Sequence, residues 1–128
     1  MGVRRILVVD DQPDVVDSLA VLLRLSGHEV HTAFDGPSAL ASALEVRPEF
    51  IFLDIGLPGL DGFSVADQLR KAPSLRGARI IAVTAYGDED SRRRSREAGF
   101  DLYLVKPVAP RFVEDLVEGR EGQLVAAG

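Results

Sequence analysis

The chain is 128 residues long, 46% hydrophobic and 27% charged, with a net charge of −5, a balance that fits one globular domain able to close its own core. It has no Cys and only two His, His28 and His31, which excludes disulfides and thiolate metal sites and argues against a multi-His zinc site. The acidic excess disfavours a nucleic-acid surface, no apolar run reaches the ~20 residues of a membrane span, and the N-terminus turns acidic too soon for a signal peptide, so the expected location is cytoplasmic, with no direct membrane insertion.

Short apolar runs alternate with longer amphipathic ones. Ile6–Val9 reads as a buried strand. Val15, Val16, Leu19, Leu22 and Leu23 then recur at helical spacing, with Pro13 in the first turn and Gly27 at the end. Glu29–Ala33 alternates as an edge strand does. Pro37 opens a second helix carrying Ala39, Leu40, Ala43 and Leu44, and Phe50–Leu53 is a second buried strand. Gly56 to Gly62 is a loop, with Asp61-Gly62 as a helix cap, and Phe63, Ala66 and Leu69 mark a third helix with Phe63 in the core. Arg79–Val83 is the fourth strand, Asp88–Ala98 a very polar fourth helix ending at Gly99, and Leu102–Val105 the fifth strand. Phe112, Val113, Leu116 and Val117 face inward from a last helix. Residues 119–128 are small and polar and read as a tail or linker stub after a single domain over residues 1–118.

Strict strand–helix alternation predicts a parallel sheet with helices on both faces, and such sheets bind ligands at the carboxyl ends of their strands. Those ends carry Asp10-Asp11, Asp54, Thr84 and Lys106, followed by Pro107; only the second ends blandly, at Ala33 and Phe34. Taken singly, each has a plain explanation as a turn, a loop cap, a strand residue or a solvated end. The conjunction at four ends is what points to a site. Three carboxylates brought together repel one another unless a cation joins them, and Mg2+ suits carboxylate, carbonyl and water oxygens. A carboxylate can also act as a nucleophile and form an acyl phosphate. That chemistry needs positive charge on the phosphoryl oxygens, which Lys106 would supply, and a donor such as the Thr84 hydroxyl. Only two of the 15 cations are Lys, Lys71 and Lys106, so one of them stands where such chemistry would need it.

Val8-Val-Asp-Asp11, Leu53-Asp-Ile-Gly-Leu-Pro-Gly-Leu-Asp-Gly62, Val83-Thr-Ala85 and Tyr103-Leu-Val-Lys-Pro107, in this order, resemble the CheY-like response-regulator receiver domain over about Arg4 to Glu118. The resemblance implies a flavodoxin-like (βα)5 fold, a doubly wound five-stranded parallel sheet of order 2-1-3-4-5. It implies that Asp54 takes a phosphoryl group from a histidine kinase or a histidine phosphotransfer domain. Asp11 directly, Asp10 more through water, Asp54 and the backbone carbonyl of Gly56 would hold Mg2+, with Mn2+ as a substitute. Lys106 would pair with the phosphoryl group, Thr84 would move toward it, and Tyr103 would swing inward behind Thr84. Ala85 would be small because of crowding beside the phosphate, Lys106-Pro107 would be cis, and Gly56 and Tyr86 would flank the entrance. The chain would not be an enzyme beyond self-phosphorylation and autodephosphorylation.

Arg92, Arg93, Arg94 and Arg96 make the fourth helix basic. A solvated face with i,i+4 partners accounts for them, with Asp88, Glu89 and Asp90 suiting the positive end of the helix. Their functional alternative is a partner or dimer contact through the fourth helix, fifth strand and last helix. His28 and His31 are expected at the surface. A haloacid-dehalogenase-type phosphohydrolase is the competing enzyme class, but it requires Asp-x-Asp, and here the first strand ends Asp10-Asp11-Gln12. A nucleotide-binding module lacks its glycine-rich loop. Two settings remain open, a stand-alone receiver and one excised from a hybrid sensor histidine kinase; the Leu53–Gly59 loop and the tail lean toward the second.

Overall fold

A computed structural model describes residues 2–119, so the expected tail lies outside the described residues apart from Gly119. Its elements are β1 (Arg5–Val9), α1 (Pro13–Leu25), β2 (Glu29–Ala33), α2 (Gly36–Val46), β3 (Phe50–Leu53), α3 (Gly62–Lys71), β4 (Arg79–Thr84), α4 (Glu89–Ala98), β5 (Leu102–Val105) and α5 (Pro110–Val117). The five strands are all parallel, in the order β2-β1-β3-β4-β5. This is the expected flavodoxin-like doubly wound sheet, with β2 at one edge.

Alternation along each central strand divides the core into two layers. Leu7, Val9, Ile51, Leu53, Ile80 and Ala82 pack under α2 and α3. Ile6, Val8, Phe50, Phe52, Ile81 and Val83 face the other way, onto Val16, Ala20 and Leu23 of α1 and Val113, Leu116 and Val117 of α5. Central strands are buried on both faces, which is why they read as unbroken apolar runs rather than as alternating ones.

Helix starts are set by local chemistry. Asp35, Asp61 and Asp88 each cap a helix by accepting the backbone N–H of the Ser three residues on, at 2.8–2.9 Å, satisfying one of the orphan donors there. Helix α1 has no side-chain cap and opens instead on Pro13, whose missing N–H is no loss in a first turn.

The differences from the sequence reading have physical causes. Strand β1 begins one residue earlier, at Arg5, and β4 runs on to Thr84, because ladder bonds and not apolar side chains define a strand. The turn Pro73–Leu75 is a short 3-10 helix with Leu75 buried. Phe63 is only half-buried, its ring covered by the Arg94 guanidinium at 4.3 Å. His28, expected at the surface, is buried. Its Nδ1 accepts the Arg4 backbone N–H at 3.1 Å, and its Nε2 lies 3.9 Å from a Glu118 carboxylate oxygen. The turn after α1 folds beneath the end of α5, where Ser26 Oγ also donates to Glu114 at 3.0 Å.

Candidate functional site

Parallel pairing aligns the strand ends. The Asp54 N–H donates to the Val9 carbonyl at 3.0 Å, which sets the end of β3 beside the end of β1, and the Lys106 N–H donates to the Thr84 carbonyl at 2.8 Å, which sets the end of β5 beside that of β4. Residues 96 positions apart in sequence thereby meet, as Lys106 Nζ lies 2.6 Å from Asp10 Oδ2.

Asp10, Asp11 and Asp54 each place a carboxylate oxygen within 4.8 Å of the other two. Asp10 and Asp54 are buried and Asp11 is exposed. Asp10 Oδ1 accepts the Gln12 N–H at 3.0 Å, and Asp54 Oδ1 accepts the Gly56 N–H at 2.9 Å. These bonds hold each carboxylate against its own loop and leave the second oxygens to Lys106, whose Nζ is also 3.2 Å from Asp54 Oδ2. Burial by itself would push the Lys106 ammonium down. The hydrogen bond to Asp10 and the charges of Asp54 and Asp10 outweigh it and hold the group above the ordinary lysine value.

Thr84 is fully buried, and its Oγ1 accepts the Tyr86 N–H at 3.3 Å. The Tyr103 ring is half-buried against the α3-side core, and its hydroxyl donates to the Tyr86 carbonyl. Burial raises the Tyr103 hydroxyl above its ordinary value, with the Asp88 charge acting in the same direction. The Lys106-Pro107 peptide is cis. Ala85, whose small size the family resemblance ties to the space beside a phosphoryl group, is exposed.

Every strand-end residue named from the sequence therefore gathers at one rim. The donor set fits a hard divalent ion, because two buried carboxylates and one exposed one offer oxygen ligands close enough to share one cation.

Sequence reasoning missed what keeps the rim compact. Gly62 begins α3 so close to the end of β3 that a Cβ would lie 2.4 Å from the Asp54 carbonyl oxygen and 2.5 Å from Ile55 Cα. Asp61-Gly62 looked like a cap signal, and the cap hid the second requirement. Tyr86 also drapes over Gly56, where a Cβ would come within 3.0 Å of the ring.

A doubly wound sheet with an acidic triad and a lysine at its carboxyl edge defines the phosphoacceptor class of α/β domains. The model of the response regulator receiver domain matches residues 6–118, and the chain belongs to that family. The chain is 50% identical over 103 residues to the transcriptional regulatory protein PrrA of Mycobacterium leprae (strain TN), covering 80% of this chain and 43% of that protein. It thus spans less than half the length of that curated relative. Among solved structures, the chemotaxis protein CheY4 of Vibrio cholerae superposes with a TM-score of 0.86 at 26% identity, covering 92% of this chain and 98% of the other. The receiver domain of the sensor histidine kinase PA1611 from Pseudomonas aeruginosa PAO1, with a magnesium ion coordinated in its active-site cleft, gives 0.83 at 31% identity, over 92% and 97%.

Receiver domains of response regulators pair with histidine kinases and are generally not classical enzymes. Nothing in these matches supports the phosphohydrolase alternative. Among the described residues, no helix is long and apolar enough to cross a membrane.

Proposed function

We propose that Asp54 is the phosphoacceptor of this receiver. The observation that carries it is the buried Asp54 carboxylate, held by the Gly56 N–H on one oxygen and 3.2 Å from the Lys106 ammonium on the other, inside the acidic triad. A carboxylate oxygen of Asp54 attacks the phosphorus of a phosphohistidine on a kinase or phosphotransfer domain. The new P–O bond forms as the P–N bond breaks, and the electron pair returns to the imidazole. Asp10, Asp11, Asp54 and the Gly56 carbonyl would hold Mg2+, or Mn2+ in its place, and the bound ion supplies charge neutralisation to the phosphoryl oxygens.

The chain's own groups do the rest. Lys106 leaves its carboxylate contacts to meet a phosphoryl oxygen. Thr84 Oγ1, now an acceptor from Tyr86, has its own proton to donate to another. Thr84 and Tyr103 are joined through the Tyr86 backbone, so a Thr84 shift is felt at Tyr103 and on the face made by α4, β5 and α5. That face is our candidate for a downstream partner or dimer contact.

A donor must cover the rim, and an apolar cleft of about 590 Å³ between α1 and α5 opens beside Lys106, lined by Leu19, Leu22, Val108 and Val113. It suits the apolar face of a donor helix. On α4, Arg93 pairs with Asp90 and Glu97, and Arg96 with Glu89, and this reading assigns the domain itself no nucleic-acid contact. Residues 1–118 form the receiver in this reading, it acts in the cytoplasm, and its only self-catalysed steps are phosphorylation from a donor and autodephosphorylation.

The test is exposure to acetyl phosphate with Mg2+, read by intact mass. Wild type should gain one phosphoryl group that is lost in alkali, and Asp54→Asn should gain none. Equal labelling of the two proteins would sink the assignment.

A further inference from the structure

The four arginines of α4 are not equivalent. Arg93 and Arg96 are used within the helix, and Arg94 covers Phe63 of α3. Arg92 points at β5. Its guanidinium lies over the Tyr103 ring, 4.8 Å from the centroid, and its Nε donates to the Gly87 carbonyl at 3.4 Å. One side chain therefore touches both the ring and the loop that carries the ring's hydrogen-bond partner. Behind the ring, the Tyr103 hydroxyl donates to the Tyr86 carbonyl, and the Tyr86 N–H donates to Thr84 Oγ1.

We propose that Arg92 is a positioning residue for the switch pair: it clamps Tyr103 in the half-buried position and so holds the Tyr86 backbone and Thr84 in place beside the site, favouring the phosphorylated form. This rests on the reading of Asp54 as phosphoacceptor and deepens it. The physical argument is one of connectivity. If the Tyr103 ring swings out, the Tyr86 carbonyl loses its donor, the β4–α4 loop loosens, and Thr84 must be reordered whenever a phosphoryl group arrives. A guanidinium stacked on the outer face of the ring opposes that swing, because the planar cation is drawn to the negative face of the aromatic ring. The charge of Asp88, whose carboxylate binds Ser91, also acts on the Tyr103 hydroxyl.

The experiment uses beryllofluoride with Mg2+ as the phosphoryl mimic, in wild type, Arg92→Ala, Arg92→Lys, Tyr103→Leu and the Arg92→Ala/Tyr103→Leu double variant. An exposed cation–π contact is worth roughly a 2- to 5-fold change in an equilibrium. Beryllofluoride affinity should fall by about that factor in Arg92→Ala, recover partly in Arg92→Lys, and be indifferent to Arg92 once Tyr103 is Leu. The second readout needs no phosphoryl mimic. The chain has only two tyrosines, so ring-labelled tyrosine NMR, assigned with Tyr86→Phe, should show the Tyr103 ring moving toward solvent-exposed shifts in unliganded Arg92→Ala.

Unchanged ring shifts, unchanged or tighter beryllofluoride binding, or an equal loss in the Tyr103→Leu background would overturn the clamp. Failure of wild type itself to bind beryllofluoride would overturn the phosphoacceptor reading instead, and the ring shifts would then decide the clamp alone.

Discussion

Replacing Lys106 with methionine removes the ammonium and keeps most of the stem, so it isolates the charge at the rim. Nζ is 2.6 Å from Asp10 Oδ2 and 3.2 Å from Asp54 Oδ2. At an effective dielectric of about 20 these separations correspond to attractions of at most ~6 and ~5 kcal/mol, offset by desolvation. Without the ammonium, two buried carboxylates remain with oxygens within 4.8 Å of each other, a repulsion of at least ~3.5 kcal/mol on the same scale. Breaking a buried pair from one side typically costs about 3–5 kcal/mol. The Lys106 side chain is 20% exposed, which puts the expected loss near the lower end, about 3 kcal/mol.

The assay is urea denaturation followed by far-UV circular dichroism in EDTA, since the chain has no Trp. The deficit should shrink when Mg2+ is added, because the cation joins the same carboxylates. In Asp10→Asn/Lys106→Met the two effects should be clearly non-additive. A Lys106→Met protein within ~0.5 kcal/mol of wild type in EDTA would refute the reasoning and return Lys106 to a solvated strand end.

Three further outcomes follow from the same geometry. Mg2+ at ~100 times its dissociation constant should stabilise wild type by ~2.7 kcal/mol, seen as a melting-temperature rise that Asp11→Asn largely abolishes. Gly62→Ala should lose about 1–3 kcal/mol, and amide NMR shifts should concentrate at Asp54 and Ile55, because the added Cβ meets backbone rather than a side chain that can turn away. The Asp88 carboxyl is held below its ordinary 3.8 by the Ser91 backbone N–H and then the Ser91 hydroxyl. Its contribution is therefore present above 3.8 and lost as pH falls through the folded value. Thermal melts should show Asp88→Ala less stable than wild type near neutrality, with the gap closing in acid.

Much of this protein is legible in its sequence. The apolar runs Ile6–Val9 and Phe50–Leu53 identify central strands, since only a strand covered on both faces carries no polar residue. Alternation with helices then implies a parallel doubly wound sheet, and hence a shared rim for Asp10, Asp11, Asp54, Thr84 and Lys106. Helix caps were partly legible. Asp61 and Asp88 read as helix starts, whereas Asp35, which bonds the Ser38 N–H in the same way, is masked in the sequence by Pro37, itself a start signal for that helix.

What the sequence alone determined is therefore the alternation of elements and the chemistry carried at each strand end, both of which are local properties of the chain. Tertiary structure alone decided the contacts between distant segments. It brought Lys106 to Asp10 across 96 positions, buried His28 beneath the last turn of α5, pressed Gly62 onto the Asp54 carbonyl, and turned one of four similar arginines, Arg92, onto Tyr103. The physical reason is that a side chain's type sets what it can bond, while its partner is set by which backbones the packed sheet and helices bring within a few ångströms.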